Sequence, residues 1–381
     1  MKVAVLGYGT VGKGVYDLLA EAPGLEQGPV LVREGKRTED FMVTDMEDIL
    51  NDGSVDVVVE ATDAEFVAAS YAEKSLKAGK HFVTSNKVMV AQKGIELSEL
   101  AVKEGRAFLF SAACGGAIPF LHNLCIARES DVITGISGIL NGTTNFILDL
   151  MQSEGVPFMS ALSQAQKLGY AESDPSADIS GTDSYRKIIL ACAVAYGLQP
   201  DGYSDIEGIA GFTQTDSDII ASKGGAVRLI ARGGLNGDGT VYAFVEPRVF
   251  FDGIERSVGK NFNSISYTGK NSGPVTYSGQ GAGRYPTASA VLRDITGIAE
   301  GAMYLLPEGC RRQKEVNSTE QSYLVRCADS QRERFSVSEV WSEQEGKAVF
   351  ITERMSVSSM HSLARDMRNS GNELFFASVQ R

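Results

Sequence analysis

The stretch Val3-Ala4-Val5-Leu6-Gly7-Tyr8-Gly9-Thr10-Val11-Gly12 joins an apolar run, a glycine-rich turn and the start of a helical pattern. Its glycines have the G-x-G-x-x-G spacing, and apolar residues continue at helical spacing through Leu19. A strand that passes through such a turn into a helix offers N–H groups and a positive dipole end to phosphate oxygens. The stretch predicts a dinucleotide site at Gly7, Gly9, Thr10, Val11 and Gly12, the alternative being a purely structural turn.

Strand and helix patterns alternate through the first third of the chain. Short apolar runs at Val55–Val59, His81–Thr84 and Ala107–Phe110 predict strands, and helical patterns lie between them. Such alternation is typical of parallel sheets built from right-handed βαβ crossovers. We therefore expect an α/β protein in which residues 1–131 form a Rossmann-type parallel-sheet domain, completed by a helix at 286–305.

Two further regions follow this domain. Longer helical patterns, among them Gly142–Gln152 and Gly181–Tyr196, precede further strand patterns and predict a central α+β domain over 132–285. A polar stretch, Pro307–Gln321, predicts a linker. Strand patterns around a single helical pattern then predict a small α+β module over 321–381.

Composition narrows the class of protein. The 381 residues allow two or three domains, and 43% apolar with 22% charged residues is typical of a globular chain. A net charge of -12 disfavours nucleic acid and anionic membranes as partners, and no apolar run is long enough to span a bilayer. Five cysteines without a C-x-x-C pair indicate reduced thiols and a cytoplasmic location, and only three histidines disfavour a zinc site.

Basic residues follow the second predicted strand, which begins at Val30–Val32. Arg33 ends that strand, and Lys36 and Arg37 lie just beyond it. An enzyme that binds NAD usually has an acidic residue here for the ribose 2′-hydroxyl, whereas cations suit the 2′-phosphate of NADP. The sequence therefore favours NADP over NAD at Arg33; the alternative is a solvated basic loop.

Three loops of small or polar residues follow predicted strands. Thr84-Ser85-Asn86-Lys87 lies at the carboxyl edge of the parallel sheet, where ligands bind, although a lone lysine there is more often a surface residue. Ser111–Pro119 has few large side chains, which indicates close backbone approach. Asn141–Asn145 precedes a helix with hydroxyl and N–H groups that could hold a carboxylate.

A dense group of carboxylates precedes the helix that contains Lys187. Asp183 and Lys187 are four residues apart, on one face of this helix, and could be an ordinary exposed ion pair. The residues after Lys187 are apolar on every face, however, which predicts that the helix is buried. Because a buried lysine must be paired or neutralised, and can then exchange a proton near neutral pH, Lys187 is a candidate acid–base residue.

Together these segments resemble the homoserine dehydrogenase family over residues 1 to about 305. The resemblance rests on segments in the family's order: Gly7–Gly12, Thr84–Lys87, Cys114–Pro119, Asn141–Asn145, Gly169–Lys187 and Gly279–Thr287. It implies an NAD(P)-dependent oxidoreductase that interconverts L-aspartate 4-semialdehyde and L-homoserine in threonine and methionine biosynthesis. It also implies a homodimer or homotetramer whose central domain binds the substrate and forms the dimer contacts.

The resemblance assigns roles to particular residues. Lys187 matches the proton donor, Asp183 the acid that positions it, and Lys87 a second lysine near the reacting groups. The matching substrate-binding residues are Glu172, Asp178, Gly142 and Thr143. The matching cofactor-binding residues include Thr62, Ser85, Lys87 and Gly283. A monovalent cation, usually sodium in the family, would bind main-chain carbonyls at Ser111, Cys114, Gly116 and Ile118.

Some positions depart from the family pattern. Ser111 stands where many members have Glu, and the segment around Thr62 lacks a Gly-Gly-x-x-Pro element. The module at 321–381 resembles an ACT domain without room for its first helix between Ala328 and Phe335, so we expect weak threonine inhibition. Two alternatives to this function are a related oxidoreductase acting on another small aldehyde or sugar, and a non-catalytic amino-acid or nucleotide sensor.

Overall fold

The computed structural model describes residues 1–62, 65–344 and 346–380. The chain divides into two units. The first unit contains residues 1–131, 193–198 and 279–311, and the second contains residues 132–192, 199–278 and 312–381. Within the described residues, none of the helices combines the length and the hydropathy that a membrane crossing requires.

A six-stranded parallel sheet forms the centre of the first unit. Its strands are β1 (Lys2–Leu6), β2 (Glu26–Leu31), β3 (Met42–Val43), β4 (Val55–Glu60), β5 (His81–Thr84) and β6 (Phe108–Leu109). The strand order is β3-β2-β1-β4-β5-β6. Val3–Leu6 and Val57–Val59 are fully buried, because helices cover both faces of the sheet and these segments are apolar. The order reverses between β1 and β4, and ligands bind beyond the strand ends at such a point.

Helices connect and cover these strands. They are α1 (Thr10–Glu21), α2 (Glu47–Leu50), α3 (Glu65–Lys77), α4 (Lys87–Glu104), α5 (Phe120–Ser130) and α12 (Arg284–Ala299), with a 3-10 turn at Ser111–Ala113. The helix expected at 286–305 therefore ends earlier than predicted. Gly301 has a φ of 95°, and the Ala302 N–H bonds back to the Gly297 carbonyl, which closes the helix there.

A nine-stranded sheet dominates the second unit, with strand order β12-β11-β7-β9-β10-β19-β15-β17-β16. These strands are β7 (Ile133–Ile139), β9 (Ala226–Leu235), β10 (Val241–Phe250), β11 (Phe262–Gly269), β12 (Gly273–Gln280), β15 (Tyr323–Ala328), β16 (Val337–Gln344), β17 (Lys347–Thr352) and β19 (Leu374–Val379). Short strand pairs add β8 (Leu198–Pro200) with β13 (Arg311–Gln313), and β14 (Glu320–Gln321) with β18 (Met355–Ser356).

The remaining helices are α6 (Gly142–Glu154), α7 (Phe158–Lys167), α8 (Ser176–Ile179), α9 (Thr182–Tyr196), α10 (Gln214–Ser222), α11 (Ile254–Ser257) and α13 (Val357–Asn369). Residues Ile188–Cys192 of α9 are all buried, so this helix is enclosed as its all-round apolar pattern predicts. A side chain such as Lys187, on the preceding turn, is therefore held in a largely dry environment.

The C-terminal strands continue the central sheet. β19 lies between β10, with which it is parallel, and β15, with which it is antiparallel. A 3-10 turn at Asp329–Arg334 occupies the connection in which we expected no room for a helix. The buried Arg326 guanidinium also donates to Asp216 at 2.7 Å and to the Gly211 carbonyl. The tail is thus joined to the central region by both main-chain and ionic bonds.

The polar stretch Pro307–Gln321 differs from the expected linker. Glu315 and Asn317 are buried, and they bond to residues of the second unit. The Glu315 carboxylate accepts from the Gly202 and Ser204 N–H groups, and Asn317 donates to Asp205 at 2.8 Å. Polarity indicated a solvated segment, but these side chains are polar because their partners are buried polar groups.

Candidate active site

The glycines of the first turn have separate physical roles. Gly7 has a φ of 94°, and a Cβ there would lie 2.8 Å from the Ala61 carbonyl oxygen. A Cβ at Gly12 would lie only 2.0 Å from the carbonyl oxygen of Gly7. A Cβ at Gly9 would meet nothing within 4 Å. Gly7 and Gly12 therefore permit the tight strand-to-helix turn, whereas Gly9 leaves open space in front of the start of α1.

A cavity of about 1230 Å³ lies beside this turn, at the carboxyl ends of β1, β2 and β4. Four of the residues predicted to bind the cofactor line it: Gly7, Gly9, Arg33 and Thr62. Lys36 and Lys13 add two further cations to its lining. Its volume and position fit a dinucleotide at the point where the strand order reverses, and its cations suit phosphate groups.

A buried carboxylate organises the strand ends under this site. Glu60, the last residue of β4, accepts from the Thr62 N–H at 2.9 Å and from the Thr62 hydroxyl at 2.6 Å. Its other oxygen accepts from the Thr84 hydroxyl at 2.7 Å. Burial raises the pKa of Glu60, and these hydrogen bonds oppose that rise. Glu60 thereby fixes Thr62 and the end of β5 in one arrangement.

Ser85 and Lys87 lie at the same edge of the sheet. Asn86 caps α4 by accepting from the Met89 N–H at 3.0 Å, which makes Lys87 the first residue of the helix. Both Ser85 and Lys87 are half-buried. Among the described residues, they lie outside the lining of the large cavity, as does Gly283, which precedes α12 with a φ of 121°. Their cofactor roles stay predictions.

The loop predicted to bind a cation is closely packed. Cys114 is fully buried, and a Cβ at Gly116 would lie 2.5 Å from the Gly281 carbonyl, which confirms the close approach expected of small residues. Asp294 of α12 accepts from the Ser111 N–H at 2.8 Å, and burial raises its pKa to about 6. Neighbouring Arg293 donates to the Ala117 carbonyl. Helix α12 thus holds both ends of the loop, and cation binding there stays a prediction.

In the second unit, Lys187 and Asp183 form an ion pair that we call the buried pair. The Lys187 Nζ donates to Asp183 Oδ2 at 2.7 Å and to the Leu140 carbonyl oxygen at 2.7 Å. Their side chains are 11% and 8% exposed, so the pair is neither solvated nor fully sealed from solvent. The ammonium head is held by two acceptors, which is the fixed geometry that proton transfer to a bound substrate requires.

Asn141 links the buried pair to a second carboxylate. Its Nδ2 donates to Asp183 Oδ2 at 2.9 Å and to Asp178 Oδ1 at 2.6 Å. The structure therefore brings together three of the predicted residues, Lys187, Asp183 and Asp178, through a side chain to which the sequence assigned no such role. Asn263 supports the same place by donating to the Leu140 carbonyl at 3.0 Å.

Gly142 and Thr143 begin α6 directly beside this network. A Cβ at Gly142 would lie 2.6 Å from the Asn261 carbonyl oxygen, so only glycine fits. The Thr143 hydroxyl is used internally, because it donates to the Tyr170 carbonyl, and the Thr144 N–H bonds to the Asn141 side chain. The Thr143 hydroxyl and the Thr144 N–H are therefore already bonded within the protein, and substrate binding by Gly142 and Thr143 stays a prediction.

Glu172 stands apart from the network. Its side chain is exposed, and its main-chain carbonyl accepts a hydrogen bond from the Gln166 side chain.

Asn141, Asn263 and Glu60 are the residues that sequence reasoning missed. Their hydrogen bonds join segments that are distant in sequence, so no local spacing predicts them. Glu60 is the exception, because a charged residue at the end of an apolar run is unusual and could have been noticed in the sequence.

Comparisons with known proteins show matches over most of the chain. The family model described as the NAD-binding domain of homoserine dehydrogenase matches residues 7–111, and the homoserine dehydrogenase model matches residues 119–296. The homoserine dehydrogenase of Lactococcus lactis is 35% identical over 322 residues, which cover 79% of this chain and 74% of that protein. A homoserine dehydrogenase structure from Thiobacillus denitrificans has a TM-score of 0.87 and 26% identity, with 100% of this chain and 98% of that chain covered.

Two further relatives bear on the cofactor. A Pseudomonas canavaninivorans protein named NAD(+)-dependent homoserine dehydrogenase is 37% identical over 67% of this chain and 74% of its own length. A hyperthermophilic archaeal homoserine dehydrogenase mutant, solved in complex with NADPH, has a TM-score of 0.68 and 25% identity over 78% of this chain and 97% of that chain. With its dinucleotide turn, its buried lysine and these matches, the chain belongs to the homoserine dehydrogenase family of nicotinamide-dependent oxidoreductases.

Proposed function

We propose that the protein interconverts L-aspartate 4-semialdehyde and L-homoserine, with NADP as its preferred cofactor, as a step of threonine and methionine biosynthesis. The observation that carries the proposal is the buried pair. Its lysine donates to two acceptors, and Asn141 links the pair to a second carboxylate, Asp178. Lys187 supplies a proton to the carbonyl oxygen when the aldehyde is reduced, and it accepts that proton back when homoserine is oxidised.

The charges of the site suit an amino acid. Asp178 and Glu172 are the proposed partners of the substrate ammonium group, and they give the site a net negative charge because Lys187 and Asp183 neutralise each other. The substrate carboxylate lies at Gly142 and Thr143, where the start of α6 presents the positive end of its dipole. Binding both ends of the substrate orients its reacting carbon, which is an entropic contribution to catalysis.

The cofactor residues in this proposal are those of the first unit. A bound nicotinamide supplies or accepts the hydride. The first turn of α1, through Gly9, Thr10 and Val11, binds its pyrophosphate, and Arg33 with Lys36 binds the 2′-phosphate of NADP. Thr62, Ser85, Lys87 and Gly283 contact the remainder, and the Lys87 ammonium stabilises the charge that develops on the substrate oxygen.

A monovalent cation, sodium by resemblance, is proposed at the carbonyls of Ser111, Cys114, Gly116 and Ile118. The buried Asp294 carboxylate, which accepts from the Ser111 N–H, supports this proposal, because a negative charge near main-chain carbonyls favours a cation. A homodimer or homotetramer and a cytoplasmic location stay predictions. Light scattering of the purified chain measures its oligomeric state.

A substrate panel tests the function. The purified chain is mixed with NADP or NAD and either L-homoserine or 4-hydroxybutyrate, which lacks the amino group, and the absorbance of reduced nicotinamide is followed. We expect reduction with homoserine, faster with NADP, and none with 4-hydroxybutyrate, because that compound has no ammonium group for Asp178 and Glu172. A chain that is inactive with homoserine and both cofactors would refute the proposal.

A further inference from the structure

We propose that Asn141 is a positioning residue for the reaction: its side-chain amide ties Asp183 of the buried pair to Asp178 of the substrate site. This inference rests on the proposed function and adds to it a residue that touches neither substrate nor cofactor. It is carried by the hydrogen bonds of one side chain and by its place at the junction between β7 and α6.

The orientation of the Asn141 amide is determined by its neighbours. Oδ1 accepts from the Thr144 N–H at 2.8 Å, and a backbone N–H can only donate. The Nδ2 group must therefore face the other way, where it donates to Asp183 Oδ2 and to Asp178 Oδ1. Both carboxylates accept from the same nitrogen, so the amide fixes their separation.

Asp183 Oδ2 is shared between two donors. It accepts from Lys187 Nζ at 2.7 Å and from Asn141 Nδ2 at 2.9 Å. The amide thus determines which carboxylate oxygen faces the lysine. The second acceptor of Lys187 is the carbonyl of Leu140, the residue immediately before Asn141, and Asn263 holds that carbonyl from the other side.

Two consecutive residues at one junction therefore determine the position of the lysine head. Leu140 provides a main-chain acceptor, and Asn141 orients the carboxylate acceptor. Because proton transfer depends steeply on the distance and direction between donor and acceptor, an error at this junction reaches the substrate through Lys187.

Asn141 also caps α6, and this second role must be separated from the first. Its Oδ1 bond to the Thr144 N–H is an ordinary N-cap bond, which Asp and Ser also make. Only an amide offers an acceptor to Thr144 and two N–H donors to carboxylates at the same time. Asn141→Asp and Asn141→Ser therefore keep the cap and remove the bridge.

Asn317 provides a matched control. Its Oδ1 accepts from the Ala243 N–H at 3.0 Å, and its Nδ2 donates to Asp205 at 2.8 Å, so it has the same bonding pattern and is equally buried. No hydrogen bond recorded among the described residues joins Asn317 or Asp205 to the buried pair. Asn317→Asp makes the same chemical change without touching Lys187.

The experiment compares the parent chain with Asn141→Asp, Asn141→Ser and Asn317→Asp by melting temperature, homoserine kinetics and the pH dependence of kcat. In Asn141→Asp, a carboxylate oxygen replaces Nδ2, which lies 2.6 Å from Asp178 Oδ1 and 2.9 Å from Asp183 Oδ2. Either repulsion between these carboxylates or a proton shared between them then rearranges the site. We expect kcat to fall on the order of 100-fold. The pH at which kcat for homoserine oxidation rises should also increase, because the added negative charge makes Lys187 hold its proton more tightly.

Asn141→Ser is expected to lower kcat and to raise KM for homoserine, because Asp178 loses its tie, with a smaller change in the pH profile. Asn317→Asp is expected to keep the parental profile and kcat. If both Asn141 variants keep the parental kcat, KM and pH profile, Asn141 is only a helix cap and the inference is overturned.

A readout without turnover separates this inference from the proposed function. The rate at which acetic anhydride labels Lys187, measured by mass spectrometry across pH, reports the protonation of that lysine even in a chain that does not oxidise homoserine. We expect its midpoint to move upward in Asn141→Asp and to stay in place in Asn317→Asp. An unchanged midpoint in Asn141→Asp would overturn the inference, whereas an inactive parent chain would refute only the function.

Discussion

Replacing Lys187 tests the buried pair on two scales at once, activity and stability. We expect Lys187→Ala and Lys187→Met to lower kcat by about 10²- to 10⁴-fold, the usual contribution of a positioned acid–base group. The affinity for NADP, measured by calorimetry, should change little, because Lys187 acts on charge that develops in the transition state.

Stability should fall as well, by an amount that the geometry limits. Removing one partner of a buried ion pair typically costs about 3–5 kcal/mol, since the other charge stays buried without its partner. Asp183 keeps the hydrogen bond from Asn141 at 2.9 Å, so we expect the lower end, about 3 kcal/mol. Lys187→Met retains the apolar stem and should lose less than Lys187→Ala, which also leaves a cavity.

Denaturant unfolding and steady-state kinetics on the same preparations measure both effects. Lys167→Ala, at the exposed end of α7, is the matched control and should change neither. Parental kcat in Lys187→Met, in a chain that unfolds cooperatively, would remove Lys187 from the mechanism. If a Lys187 variant has the same free energy of unfolding as the parent, burying Asp183 without its lysine partner does not destabilise the protein.

Three further outcomes are expected. Arg33→Ala should weaken NADP binding about ten-fold or more in calorimetry, while NAD binding changes little. Arg37→Ala, at a residue outside the cavity lining, is the control. Equal losses of affinity for both cofactors would show that Arg33 does not bind the 2′-phosphate. Because burial raises the pKa of Glu60, the folded chain holds the carboxyl proton of Glu60 more tightly than the unfolded chain does, and the free energy of unfolding falls as pH rises above 4.5. Glu60→Gln should therefore flatten the dependence of melting temperature on pH. An unchanged slope would contradict this expectation. Deleting residues 321–381 should abolish cooperative unfolding, since Asp216 loses its guanidinium partner, and a cooperative transition in the truncated chain would contradict this. Threonine should inhibit the intact chain weakly, and strong, saturable inhibition of the intact chain would contradict that expectation.

Local patterns predicted much of the fold. The glycine turn, the apolar strands of the parallel sheet and the enclosed helix α9 each depend on residues within a few positions of one another, where spacing determines geometry. Asp183 and Lys187 are four apart, so their pairing was also readable from the sequence. The comparisons confirm the family that these motifs indicated.

Long-range polar bonds were not predictable. Asn141 reaches Asp178 and Asp183 across 37 and 42 residues, and Glu60 reaches Thr84 across 24. A side chain that bonds to a distant segment leaves no periodic signal, because its partner is chosen by the folded chain. Asn317 and Glu315 misled the reading for the same reason: polar residues in a row indicate solvent unless their buried partners are known.

The position of β19 has a consequence for synthesis of the chain. This strand joins β10 to β15, pairing Val249 with Val379 on one side and Ala377 with Leu324 on the other. Until the ribosome has released residues 374–379, β10 and β15 each present an unpaired edge, and the sheet exists as two open pieces. The two pieces close only through contacts between residues far apart in sequence, which slows folding. Nascent chains of this enzyme should therefore depend on chaperones until residues 374–379 can pair, after the cofactor-binding sheet has already formed.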